Sequence, residues 1–178
     1  MRKLVSVGCL LASLNVGLCE GPQAIAVSMC TINQSPKLYN GKMVRVRGTV
    51  ARAEGLALYV DSKECKTAIA LAFPDEEPQI RAPFHLIRDD DFRKFQSYLD
   101  APAANQPKLP PGWGGWGTAH RYCDIQVTVI GKFQAVSEEK ALRGRGFGNA
   151  GASPFQLTVQ SVIDPEAKEC ASSSPAAK

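Results

Sequence analysis

The sequence is poor in most of the residues that enzymes and polyanion binders rely on. Its 178 residues include only two histidines, His85 and His120. Neither has a nearby serine or cysteine in a recognisable elbow, so no base is paired with a nucleophile. Charge is nearly balanced, 21 Lys and Arg against 17 Asp and Glu, and a net +4 is too small to argue for a polyanionic partner. No two cysteines are spaced as Cys-x-x-Cys, which, with so few histidines, argues against a metal site. Glu54 stands alone, without the second carboxylate that glycoside hydrolysis normally needs. No repeat or coiled-coil heptad is present. The expectation is a protein without catalytic residues, metal or cofactor.

The N-terminus carries a different kind of signal. Met1-Arg2-Lys3 is a positive start, and Leu4–Leu18 is apolar except for Ser6, Ser13 and Asn15. This stretch is too short for a bilayer span, which takes about 20 apolar residues, and it reads as a secretory leader. Two cuts satisfy the small-residue rule: after Cys19, with Gly17 at −3, or after Ala26, with Ala24 at −3. Ala24-Ile25-Ala26 is the cleaner match, giving a leader over 1–26, a domain over 27–166 and a disordered tail over 167–178. Lipid attachment at Cys19 is the weaker alternative, because Leu18 stands where such cysteines usually follow Gly or Ala. The expected location is periplasmic or secreted, with no transmembrane span in the mature chain.

Loss of 1–26 removes Cys9 and Cys19 and leaves four cysteines, Cys30, Cys65, Cys123 and Cys170, in an oxidising compartment. Four cysteines allow three pairings. If the strand after Cys123 and the strand before Cys170 run antiparallel, the start of one lies beside the end of the other. That favours Cys123–Cys170, with Cys30–Cys65 left over.

The remaining chain is long enough for one domain with a real core. Met29–Leu38 reads as a short helix or turn with Ile32 and Leu38 facing inward, and Asn40-Gly41 as a turn. Five runs then alternate with period two. The first is Met43–Val50, with Val44, Val46 and Val50 on one face and Arg45, Arg47 and Thr49 on the other. Gly48 falls on the inner face, where a strand bends sharply. The second is Leu56–Val60, with Leu56, Leu58 and Val60 inward and Tyr59 outward. The third is Thr67–Phe73, with Ile69, Leu71 and Phe73 inward. The fourth is Ile125–Phe133, with Ile125, Val127, Val129, Gly131 and Phe133 inward. The fifth carries Phe155, Leu157 and Val159, then changes phase at Val162, which requires a bulge. Five half-apolar strands are most simply satisfied by closing on themselves.

Residues 74–122 form an insertion between the third and fourth strands. Within it Asp89-Asp90-Asp91 is a helix start, followed by Phe92, Phe95, Tyr98 and Leu99 on one helical face. After the helix comes a long Pro- and Gly-rich loop with both tryptophans, Trp113 and Trp116. A helix at this position is the arrangement of the oligonucleotide/oligosaccharide-binding (OB) barrel. The expected fold is therefore mainly β, a small five-stranded OB-like barrel with one inserted helix and a long loop.

Two further patterns have structural explanations. Gly146-Phe147-Gly148-Asn149-Ala150-Gly151 matches a dinucleotide fingerprint in letters, but it is followed by Pro154 and a β-type run instead of a helix, so it reads as a flexible inter-strand loop. Arg143 and Arg145 in that loop read as solvated cations. Asp89–Asp91, close to His85, are explained by helix capping without a metal.

The elements Cys30, Tyr39-Asn40-Gly41-Lys42, Val44-Arg45-Val46-Arg47-Gly48, Glu54-Gly55, Gly146-Phe147-Gly148 and Leu157-Thr158-Val159 together resemble a family of small secreted bacterial proteins with OB-like domains. The resemblance covers roughly residues 30–164 outside the insertion. Its motifs are strand and turn residues, so it implies a fold and no catalytic set. Where members of that family often carry His after the Gly-Phe-Gly, this chain has Asn149. The functional expectation is a non-catalytic exported domain that binds a protein, glycan or envelope component, or serves structurally. The candidate binding residues are Arg45, Arg47, Tyr59, Trp113 and Trp116. Single-stranded nucleic-acid binding is the alternative, with a thin basic and aromatic platform as its only support.

Overall fold

The computed structural model describes residues 23–52, 58–74, 82–101 and 121–170. Residues 1–22, which hold most of the expected leader, Glu54, Leu56, Trp113, Trp116, His120 and residues 171–178 lie outside these residues. The elements are β1 (Ile25–Ala26), α1 (Met29–Gln34), α2 (Pro36–Tyr39), β2 (Met43–Arg52), β3 (Leu58–Ser62), β4 (Thr67–Ala72), α3 (Asp90–Asp100), β5 (Tyr122–Ala135), α4 (Glu138–Leu142) and β6 (Phe155–Glu169).

The fold is mainly β, and five of its strands form a closed ring of hydrogen bonds. The strand order is β1-β2-β3-β4-β6-β5, and β2 also pairs with β5. Around the ring, β2–β3, β3–β4, β5–β6 and β2–β5 are antiparallel, and β4–β6 is parallel. β1 lies outside the ring, parallel to the start of β2. The expected inward residues fill the interior: Val44, Val46, Val60, Ile69, Val127, Val129, Phe133, Leu157, Val159 and Val162 are buried.

The phase change in the last strand follows from its register. Ile130 faces Ser161 and Gly131 faces Val159, so Gln160 is the extra residue that lets both Val159 and Val162 point inward. Gly131 lies at this bulge because a Cβ there would run into the Thr158 backbone. β6 continues through Ala167, Lys168 and Glu169, which the sequence reading gave to the tail. Its end is tied to the start of β5 by Cys123–Cys170, with Cα atoms 4.9 Å apart. Beside this disulfide Arg121 pairs with Glu169, and that hydrogen bond and charge raise the Arg121 pKa.

The inserted helix forms as its sequence dictates. Asp89 caps α3 by accepting the Phe92 amide at 2.9 Å, and Phe92, Phe95 and Leu99 are buried against the strands. Asp90 pairs with Arg93, and Asp91 accepts the Asp164 amide at 3.1 Å. The acidic triplet is thus engaged in capping and tethering.

One inward assignment is corrected. Ile32 is buried, but Leu38 is 62% exposed. α1 ends at Gln34 and Pro36 starts a separate turn, so Leu38 does not share the face of Ile32. Met29, one helical turn before Ile32, fills the interior instead.

Candidate functional site

The outer surface of β2, β3 and β4 is set by strand alternation. Val44 and Val46 point inward, so Arg45 and Arg47 point outward, followed by Thr49 and Ala51 on the same side. Ala51 faces Tyr59 on β3, and Tyr59 faces Ala70 on β4. Arg45, Arg47 and Tyr59 therefore share one outer surface, but they do not converge. Arg47 precedes Ala51 by four residues, about 13 Å along a strand. It turns toward the opposite side, donating to Thr128 Oγ1 at 3.3 Å and pairing with Glu166 at 3.3 Å. Arg45 is exposed, on the stretch of β2 that pairs with β1 and β5.

Tyr59, in contrast, stands where two clefts meet. One, of about 610 Å³, is lined by Ala51, Asp61, Lys63, Lys66 and Ala68. The other, of about 340 Å³, runs toward Asn33, Lys66, Glu138 and Pro154. Three parts of the chain build these walls. The β3–β4 turn presents Lys63 and Lys66, with Lys66 in the left-handed region at φ 50°. Helix α1 is capped by Ser28, which accepts the Thr31 amide at 3.0 Å, and is fastened to that turn by Cys30–Cys65, with Cα atoms 5.3 Å apart. Asn33 follows Cys30 by one helical turn and so comes to the cleft edge.

The third wall is the β5–β6 connection, an inter-strand loop as expected, with hydrogen bonds of its own. Ser137 caps α4 through the Lys140 amide. The chain then folds on itself: Gly146 N donates to Gly151 O at 2.8 Å, and Phe147 and Ser153 exchange amide hydrogen bonds at 2.7 and 2.9 Å. These bonds turn backbone donors of the Gly-x-Gly-x-x-Gly stretch inward, to the loop itself. Arg143 pairs with Glu139 at 2.7 Å, one turn back on the same helix.

Gly148 carries this loop onto the sheet. At φ +69° it adopts a conformation that suits glycine, and a Cβ there would collide with the Tyr59 hydroxyl and crowd the Ala70 methyl. The contact explains an asymmetry within β4. Ala68 and Ala70 project from the same outer face, yet Ala68 is exposed and Ala70 is only 1% exposed. The loop covers one end of the face and leaves open the part beside Tyr59.

Of the residues singled out in the sequence, Tyr59 is thus brought into a cleft and Arg45 and Arg47 are not; Trp113 and Trp116 lie outside the described residues. Asn33, Asp61, Lys63, Lys66 and Glu138 were missed. The two lysines had a signal, flanking Cys65 in a short turn beside an outward tyrosine. Asn33 and Glu138 had none, since only the disulfide and the folded loop bring them there. Comparison with known proteins finds no family model that matches the chain and no curated protein that matches it.

Proposed function

We propose that this is an exported, OB-like binding domain whose outer β3–β4 face engages a glycan of the cell envelope or extracellular space. Support for the OB-like reading comes from the ring order, from the parallel β4–β6 pair, and from a helix placed between β4 and β5. In such barrels the face equivalent to β3–β4, flanked by the loops equivalent to β2–β3 and β5–β6, is the usual ligand platform. Support for export comes from the leader pattern and from two disulfides in so short a chain. Among the described residues no helix is long and apolar enough to cross a membrane.

The observation that carries the ligand class is the mixed lining around Tyr59. An aromatic ring offers a stacking surface, while Asn33, Asp61, Glu138 and the two lysines supply donors and acceptors of both signs. A neutral, hydroxyl-rich chain satisfies such a surface. A polyphosphate would meet Asp61 and Glu138 as well as the lysines, and Arg47 is already held by Glu166.

The test is amide chemical-shift mapping with a panel of soluble envelope oligosaccharides, on the native chain and on Tyr59→Ala. Shifts confined to residues 59–68 and 138–154, lost at least tenfold in affinity in the variant, are the expected result. Shifts elsewhere, or none with any glycan, would overturn the reading. Titration with a single-stranded oligonucleotide at two salt concentrations tests the nucleic-acid alternative, which demands affinity that falls steeply with salt.

A further inference from the structure

We infer that the leader is cut upstream of Gln23, at the Cys19–Glu20 bond, and that β1 remains in the mature protein. The inference rests on the export reading above. Sequence rules alone favoured a cut after Ala26, but that cut would remove both residues of β1.

The fold uses those residues. Ile25 and Ala26 lie in register with Val44 and Arg45 of β2, and the Val27 amide continues the ladder by donating to Arg45 O at 3.1 Å. β3 does not reach this part of β2, since its pairing begins at Thr49. Without β1 the described partner of Val44 and Arg45 on that side is gone, leaving an open strand edge of the kind that invites association.

A new terminus at Val27 is also electrostatically misplaced. Val27 packs against the core, and Ser28 immediately after it caps α1, which has no acidic residue in its first turn. A cut after Ala26 would turn the Val27 amide into an ammonium at the positive end of that helix, in half-buried surroundings. A cut after Cys19 places the new charge on Glu20, several residues away from both. The small-residue rule is still met, by Gly17 at −3 and Cys19 at −1. The chemistry is hydrolysis by a leader peptidase of the export machinery: water adds across the bond, leaving a carboxyl on Cys19 and an amine on Glu20.

Retention of β1 has a structural consequence. Gln23 and Ile25 line a groove of about 800 Å³ together with Met43, Pro83, Phe84 and Lys132. Processing after Ala26 would remove both from its lining.

The deciding measurement is the intact mass, after reduction, of the protein exported by its native type of host. A chain beginning at Glu20 is expected. A chain beginning at Val27 overturns the inference while leaving export intact, and a full-length mass overturns both. A lipid-modified chain beginning at Cys19 overturns the assigned bond. Two substitutions add a second readout: Gly17→Arg is expected to block processing, and Ala24→Arg to leave the cut unchanged. Processing blocked by Ala24→Arg alone would sink the assignment.

Discussion

The two sides of the ring differ in how much backbone they commit to pairing. β5 and β6 run together from Tyr122 opposite Glu169 to Ala135 opposite Phe155, closed at the far end by a disulfide. β3 and β4 pair only between Leu58 and Ser62 on one strand and Thr67 and Leu71 on the other. Both pairs bury polar residues, Thr128, Thr158 and Ser161 in the long one and Thr67 in the short one. The short pair keeps Ala68 and its lysines open and depends on Cys30–Cys65 to hold α1 beside it. A stiff long hairpin can thus support a short one whose surface stays available, and the two disulfides serve different ends.

The strongest way to break that contrast is to remove each disulfide in turn. Either loop is long enough that its loss is expected to cost about 4 kcal/mol by the chain-entropy argument. The C123S/C170S pair should lower Tm and leave the folded protein's affinity for the proposed glycan unchanged. The C30S/C65S pair should lower both, because Asn33 then loses its anchor. Equal effects on affinity would show that the two clips are not specialised.

Phe133→Ala probes the long side. Its ring is fully buried and packs on Phe155 at 5.7 Å between centroids, so a loss of about 3–5 kcal/mol is expected in urea unfolding, with no change at the larger Tyr59 cleft, which Phe155 does not line. Gly148→Ala probes the short side. It forces a side chain into a left-handed residue pressed on Tyr59, and a loss of about 1–3 kcal/mol is expected. The amide of Ala70, covered by this loop, should then exchange faster with solvent. Unchanged exchange would mean that the loop does not shield the face.

The smallest effect belongs to the surface ion pair between the sides. Arg47 and Glu166 are both substantially exposed, so Arg47→Gln should shift stability by less than about 1 kcal/mol. A larger change would show that β2 and β6 are coupled through this pair.

Much of the architecture was legible because its cause is local. Period-two alternation named inward residues that are buried in each strand of the ring, Val46, Val60, Ile69, Val129 and Leu157 among them, while Leu56 lies outside the described residues; Val159 followed by Val162 required an extra residue between them, found at Gln160. Asp89 before an amphipathic run announced α3. Leu38 misled because Pro36 breaks the turn between it and Ile32, so the shared helical face on which its burial was predicated does not exist. The site was less legible. Arg45, Arg47 and Tyr59 look equivalent as outward residues, but their positions along the strands separate them, and Glu166, distant in sequence, engages Arg47.

The sequence by itself determined the strand faces, the capped helix and the pool of cysteines, since each follows from neighbours within a few residues along the chain. Tertiary structure decided which part of the outer face stays open. Coverage of Ala70 and exposure of Ala68 depend on where the β5–β6 loop lands, and that is fixed by Gly148 meeting Tyr59 across the fold. A contact between residues so far apart in sequence leaves no periodicity to read; only the closed ring brings its two halves together.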